Sequence, residues 1–286
     1  MEDPFGGDVS VPTALNNTIF SVLSNNNSFV TPATFSLYDI AELQDLYRVN
    51  EEFNLGNNQY FFNNTGSLTT LFDAGGRDTI NLTNTVISQT VDLHQGAFST
   101  INNNPAALAI AYGAEIENAR GGGNGDTLIG NPLRNLLFGN GGNDILEGNG
   151  GNDVLRGGAG RDTYIWRTGD GRDRIDETRS AGVDAIHLFD DTALSSLSDD
   201  LVFRRFGRDL RIDLRFNRGQ AQGSIIISDQ QFGRSRVETL RFFNSSGDQI
   251  GVDIDLDSIF QQATTTAQFF ELTSQETSRG FIAVPT

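Results

Sequence analysis

Residues 121–165 read GGGNGDTLI GNPLRNLLF GNGGNDILE GNGGNDVLR GGAGRDTYI when broken every nine residues. The sixth position of the five units holds Asp126, Asn135, Asp144, Asp153 and Asp162, and the eighth holds Leu128, Leu137, Leu146, Leu155 and Tyr164. Glycine loses more backbone freedom on folding than any other residue, so so many glycines in one phase need a compensating gain. Positions one to six are turn-forming, and positions seven to nine make a very short strand with its central residue inward. Three residues cannot bury a core alone, so successive units must stack. If each unit turns the chain through half a circuit, units n and n+2 lie above one another. Aspartates and glycine carbonyls then gather on each edge. Carboxylate and carbonyl oxygens in a flexible cage suit Ca²⁺, rather than Zn²⁺ or Mg²⁺.

The units resemble the GGxGxDxUx nonapeptides of RTX (repeats-in-toxin) proteins. The resemblance implies an all-β fold: a calcium-binding parallel β-roll flanked by antiparallel β segments, with one N-terminal helix and several Ca²⁺ ions held between the turns. Carried onto this chain, one edge uses Asp126, Asp144 and Asp162, and the other uses Asn135, Asp153 and Asp173, the last in the partial unit TGDGRDRID. The implied oxygen donors beside them are Gly121, Gly123, Gly139, Gly141, Gly148, Gly150, Gly157 and Ala159, with Asp73, Gly75 and Asp78 upstream in DAGGRDTINL. The second unit departs from the pattern with Pro132, Leu133 and Arg134, so calcium beside Asn135 is expected to be weak or missing. Without metal the stacked carboxylates repel, which links folding to binding. Extracellular calcium modules bind at about 10⁻⁴–10⁻³ M, so the chain is expected to fold after export.

The charge distribution agrees. The net charge of −17 divides into −11 over residues 1–118, zero over 119–175 and −6 over 176–286. Such acidity argues against nucleic acid as the partner, since phosphate neutralisation needs basic surface. All 20 basic residues are arginine, and there is no cysteine. No apolar run approaches the roughly 20 residues of a membrane span, and MEDPFGGDVS lacks the basic and apolar regions of a cleaved signal peptide. The expectation is a secreted, extracellular protein exported by another route.

Upstream, TPATFSLYDIAELQDLYRVN (31–50) reads as an amphipathic helix with Leu37, Ile40, Leu43, Leu46 and Tyr47 on its apolar face. Together YDIAELQDLY, FDAGGRDTINL, AYGAEIENARGGGNGDTLIGN and the repeats resemble the C-terminal half of serralysins, the secreted bacterial zinc metalloproteases, over about residues 18–165. The zinc motif HExxHxxGxxH with its Met-turn does not occur. His94 and His187 are the two histidines, neither with a partner at i+4, and FSVLSN (20–25) carries Leu23 and Asn25 where the resemblance places Met and Tyr. No nucleophile elbow, P-loop or cysteine nucleophile is present either. The chain is therefore expected not to be an enzyme.

The sequence divides into a protease-like remnant (1–50), a β segment (51–118), the roll (119–175), a β-rich cap (176–260) and a tail (261–286). The cap contains GVDAIHLFD, with Asp184 and Ile186 in phase with the repeat, and the alternating strand Leu210, Ile212, Leu214, Phe216. Covering the open end of the roll is its expected role. The cluster Arg204, Arg205, Arg208, Arg211, Arg215 and Arg218 reads as a solvent face balanced by acids. The tail loosely resembles an uncleaved type I secretion signal, which implies that export machinery as a partner. Three functions remain: a calcium-triggered folding or secretion module, the C-terminal part of a serralysin-like protease whose zinc domain is absent or on another chain, and a carbohydrate- or surface-binding adhesion module.

Overall fold

The computed structural model describes residues 54–62, 69–177, 182–189, 201–215, 221–230, 236–244, 246–262, 270–272 and 283–285, with Ile40, Ala41, Gln44 and Glu52. In chain order the strands are β1 (Gln59–Phe61), β2 (Thr69–Leu71), β3 (Thr79–Asn81), β4 (Thr90–Asp92), β5 (Phe98–Ile101), β6 (Asn104–Ile110), β7 (Asn118–Arg120), β8 (Thr127–Ile129), β9 (Leu136–Gly141) and β10 (Ile145–Glu147). They continue with β11 (Val154–Ala159), β12 (Thr163–Arg167), β13 (Arg172–Ile175), β14 (Ala185–Phe189), β15 (Leu201–Phe206), β16 (Asp209–Arg215), β17 (Ala221–Ile227), β18 (Thr239–Phe243) and β19 (Gln249–Asp255). One sheet has the order β1-β3-β7-β9-β11-β13-β17-β16-β15, and the other β19-β18-β14-β12-β10-β8-β4-β5-β6-β2. Through the repeats the chain alternates between the two sheets. This is the parallel β-roll expected from the half-circuit units.

The register follows the repeat. Leu128, Leu146 and Tyr164 are ladder partners in parallel β8, β10 and β12, a step of eighteen residues, as are Leu137 and Leu155 in β9 and β11. The step lengthens where the period ends: Leu155 pairs with Ile175, and Tyr164 with Ile186. Two inward columns result. One runs Val91, Leu128, Leu146, Tyr164, Ile186, Leu240, and the other Ile80, Ala119, Leu137, Leu155, Ile175, Ile227. Every member is at most 2% exposed. The parallel stack thus extends beyond the regular repeats in both directions. Upstream it takes in β1, β3, β4 and β7, and downstream β13, β14, β17 and β18.

The asparagines of the GNGGND units staple neighbouring coils. Asn140 (φ 76°) and Asn149 (φ 59°) occupy the left-handed region that asparagine tolerates. From there their amides donate to Gly121 O at 2.8 Å and Gly130 O at 3.0 Å, one full coil back. On the outer faces arginines lie flat on aromatics: Arg120 and Arg156 flank the Phe138 ring at 4.4 and 5.1 Å, and Arg167 covers Phe189 at 4.6 Å. A planar guanidinium can stack and still reach an acid, as Arg167 does at 2.6 Å from Glu147 and Arg156 does with Asp176.

At the C-terminal end of the stack, β15 and β16 extend β17 as an antiparallel meander, with Phe203, Leu210, Ile212 and Leu214 buried. The arginines here are matched by acids: Arg204 and Arg211 lie 3.6 and 2.6 Å from Asp213, Arg208 lies 3.7 Å from Asp229, and Arg205 covers Phe260 at 4.2 Å. Arg218 and the Arg215 side chain lie outside the described residues. A second helix, α1 (Leu256–Gln262), was not expected from the sequence. Asp255 starts it, its Oδ1 accepting from the amides of Asp257 (3.0 Å) and Ser258 (3.1 Å). Of the expected N-terminal helix, Ile40, Ala41 and Gln44 are described and helical. Ile40 packs against the core, and Gln44 Nε2 donates to Tyr112 O at 2.8 Å. The rest of that segment, with FSVLSN, lies outside the described residues, as does most of the tail.

Candidate metal centre

At the close of each turn, the position-six residue directs its own backbone amide along the stack toward the next coil. On one edge Gln89 N donates to Asp126 Oδ1 (2.7 Å), Asp126 N to Asp144 Oδ1 (2.7 Å), Asp144 N to Asp162 Oδ1 (2.9 Å), Asp162 N to Asp184 Oδ1 (2.8 Å) and Asp184 N to Glu238 Oε2 (2.8 Å). On the other edge Asn58 N donates to Asp78 Oδ1 (2.7 Å) and Asp78 N to Glu117 Oε2 (2.7 Å); farther along, Asn135 N donates to Asp153 Oδ1 (2.7 Å) and Asp153 N to Asp173 Oδ1 (3.0 Å). The sequence-derived aspartates thus form two columns, with Asp126, Asp144 and Asp162 on one edge and Asp78, Asp153 and Asp173 on the other.

One oxygen of each carboxylate is used in this way; the other decides the chemistry. Oδ2 of Asp78, Asp144, Asp153 and Asp162 is buried without a hydrogen-bond partner. Leaving a charged acceptor dry and unpaired is strongly unfavourable, so each must take up a proton or a cation. Burial, reinforced by neighbouring carboxylates, pushes Asp144 and Asp153 up to about 8. Burial raises Asp162 to about 6 and Asp173 to about 7, and it also raises Asp78 and Asp126. The unpartnered oxygens of Asp144, Asp153 and Asp162 hang over the first glycine of their turns. A Cβ on Gly139, Gly148 or Gly157 would sit 2.2, 2.4 or 2.2 Å from Oδ2 of Asp144, Asp153 or Asp162; Asp126 Oδ2, 2.3 Å from a Cβ on Gly121, instead accepts from Gly122 N at 2.6 Å. Hard oxygens beside side-chain-free backbone suit a calcium-class cation. These residues fit it.

The other sequence-derived positions fall around the same turns. Gly141 stacks over Gly123, with its Cβ direction 3.7 Å from Gly123 O, and Ala159 is the ladder partner of Gly141. A Cβ on Gly150 would lie 3.7 Å from Pro132 Cα, in the unit that breaks the pattern. Upstream, Asp73 is engaged by protein donors, accepting from Tyr60 Oη (2.5 Å), Asn58 Nδ2 (3.1 Å) and Gly75 N (3.2 Å). Asn135 is likewise satisfied: its Oδ1 accepts from Asn131 N (2.7 Å), and its Nδ2 donates to Glu117 O and Asn131 Oδ1, both at 3.0 Å.

Residues 52–234 match the peptidase M10 serralysin C-terminal family. The chain belongs to that family. Serralysin G of Dickeya chrysanthemi is 37% identical over 131 residues, covering 39% of this chain and 28% of that protein. Metallopeptidase AprA of Pseudomonas marginalis is 33% identical over 112 residues (35% and 24%), and a serralysin of Proteus mirabilis 33% over 139 residues (41% and 28%). The chain therefore spans only about a quarter of the relatives it matches.

The sequence reading missed Glu117 and Glu177, within the serralysin C-terminal match, and Glu238, just beyond it, as members of the acidic edges. Glu117 lies nine residues before Asp126, in the sixth-position phase, whereas Glu177 and Glu238 sit outside that phase and are brought to the edge by the register. Among the described residues, Asp162, Glu177 and Asp184 form the group of three metal-ligating side chains whose ligand atoms all lie within 4.8 Å. The two histidines of this serralysin-family chain sit apart from it. His94 Nδ1 meets Asp92 Oδ1 at 2.8 Å, and His187 rests on the Phe243 ring at 4.6 Å.

Proposed function

We propose that this chain is a calcium-binding, non-catalytic β-roll module of the serralysin type, which folds when its turn carboxylates take up Ca²⁺ after export by a type I secretion route. The observation that carries the reading is the unpartnered, buried Oδ2 of Asp144, Asp153 and Asp162 over position-one glycines. Cation binding relieves that penalty on both edges at once, and couples it to the stacking of the two leucine columns. The unfolded chain holds no such cage, so binding energy becomes folding energy. Millimolar extracellular calcium supports the folded state, and sub-micromolar calcium inside a cell does not.

Titration of the chelator-stripped chain with Ca²⁺, and separately with Mg²⁺, tests this by circular dichroism and calorimetry. The expected result is a gain of β-structure and a higher melting temperature with Ca²⁺ alone, weakened by Asp144→Asn and Asp153→Asn. An unchanged spectrum and melting temperature on adding Ca²⁺ would refute the coupling. The family match favours a second reading, in which the same module serves a zinc protease domain elsewhere on a longer polypeptide or on a second chain. Genomic sequence encoding an HExxH segment in frame with this region would decide for it.

A further inference from the structure

The two sheets of this acidic chain turn unlike faces outward. Alternate residues of a strand point to opposite sides, so the neighbours of each buried column member face away from the core. On the first sheet the outer face carries Arg120, Arg156, Arg172 and Arg174 on β7, β11 and β13, with Asp176 beside Arg156. On the second sheet Asp92, Glu147, Asp253 and Asp255 face outward with Arg167 and Arg241. Both of those arginines are matched, Arg167 to Glu147 at 2.6 Å and Arg241 to Asp253 at 3.0 Å. On the first sheet the cations are in excess, although the chain as a whole carries −17. Arg120, Arg172 and Arg174 are exposed, and none of the three has an ion-pair partner among the described residues. Half-buried apolar side chains lie between them. Leu136 and Val154 share a ladder row with Arg174, and the Phe138 ring is held between the guanidinium groups of Arg120 at 4.4 Å and Arg156 at 5.1 Å. From β7 to β13 is three strand spacings, about 14 Å.

We propose that the outer face of the first sheet, over β7 to β13, binds a linear acidic polysaccharide of the polyuronate class. Arg120, Arg172 and Arg174 take its carboxylates, and Leu136 and Val154 support the C–H faces of its sugar rings. The planar fork of arginine matches a carboxylate through two parallel hydrogen bonds, which a lysine could not supply. A polyuronate carries one carboxylate per sugar with apolar ring surface between, the same alternation of cation and apolar side chain that the face presents. Nucleic acid fits poorly. Single strands bind by stacking bases on open aromatic faces, and both faces of the Phe138 ring are already covered by guanidinium. The acidic remainder of the chain also repels so densely charged a polymer. An anionic membrane would need projecting apolar side chains to bury, and Leu136, Phe138 and Val154 are half-buried already. The arginines stand on the face of the roll and the turn carboxylates at its edges, so this surface and the calcium reading can fail separately.

The full chain, in a large excess of calcium over sugar, is titrated calorimetrically with a short oligogalacturonate. Separate arms use a neutral dextran oligomer, a single-stranded oligodeoxynucleotide and phosphatidylglycerol vesicles. Binding is expected for the oligogalacturonate and to weaken as added salt screens the exposed charges. The double variant Arg172→Gln/Arg174→Gln should bind at least about tenfold more weakly, because hydrogen bonds to charged groups are the strong ones. Arg120→Gln should weaken binding by a smaller factor, and Arg241→Gln, on the second sheet, should bind as wild type does. Melting temperatures in calcium report whether each variant keeps its fold. Four results would each overturn the proposal: no binding of the oligogalacturonate, equal binding of the dextran, tighter binding of the oligonucleotide or the vesicles, or undiminished binding by the double variant. If the double variant melts below wild type, Arg120→Gln decides alone: weakened binding at an unchanged melting temperature supports the face, and unchanged binding overturns it.

Discussion

Lowering the pH from 8 to 6 should weaken the hold of Asp144 and Asp153 on calcium far more than that of Asp162. Asp144 and Asp153 are raised to about 8, chiefly by burial, and Asp162 only to about 6. Each folded value lies above the unfolded value of about 3.9. The metal-free roll is therefore most stable below about pH 4 and loses stability as pH climbs toward 8, where the dry carboxylates must ionise. Calcium binds the ionised form, so its binding runs the other way. At pH 6, two units below the folded values of Asp144 and Asp153, each must shed a proton that it lacks at high pH. Relative to pH 8, where each is half ionised, apparent affinity there should fall about 50-fold, or about 2.3 kcal/mol at 1.36 kcal/mol per unit. At Asp162, half ionised at pH 6, the fall should be about twofold. Calorimetric titrations at pH 6, 7 and 8, in buffers of differing ionisation enthalpy, would count the protons expelled per ion. Flat affinity with no proton release would refute the account, because it would mean that the unpartnered oxygens are hydrated or already neutralised.

Two substitutions probe the frame around those sites. Asn135→Asp replaces an amide that satisfies Glu117 O with a carboxylate that cannot. The variant should bind one more calcium ion than wild type and melt lower in chelator, and an unchanged ion count would show that Pro132–Arg134 blocks the site regardless. Leu146→Ala removes a fully buried member of a column two strands from either end of the regular stack. It should destabilise the calcium-loaded roll by about 2–5 kcal/mol in a denaturant melt, and a loss below about 1 kcal/mol would mean that the column is not the core.

The nonapeptide spelled out much of this in advance. A fixed nine-residue phase with alternating sheets implies an eighteen-residue ladder step, and Leu128, Leu146 and Tyr164 keep it. The alternation Leu210, Ile212, Leu214 likewise marked a strand with one buried face. What the phase could not convey is pairing across unequal steps. Val91 meets Leu128 and Ile80 meets Ala119 only after long excursions, so the upstream coils carry no period to read. Glu177 escaped for the same reason: spacing hides it, and backbone register delivers it; Glu117, nine residues before Asp126, keeps the sixth-position phase but sits in a unit with a single glycine. Helix α1 is a seven-residue element whose start depends on the Asp255 side chain, too short to impose a helical period.

The acidic columns have a direction. Along the first edge each amide that opens a coil is answered by a carboxylate from farther along the chain, as Asp126 is by Asp144, Asp144 by Asp162 and Asp162 by Asp184. A coil that has been made therefore lacks a partner for its turn until its successor exists. The stack resembles a queue in which each member is served by the one behind it. Completion waits for the last coil, and damage at the C-terminal end travels backward through the column, whereas loss at the N-terminal end leaves every later carboxylate's own amide still engaged.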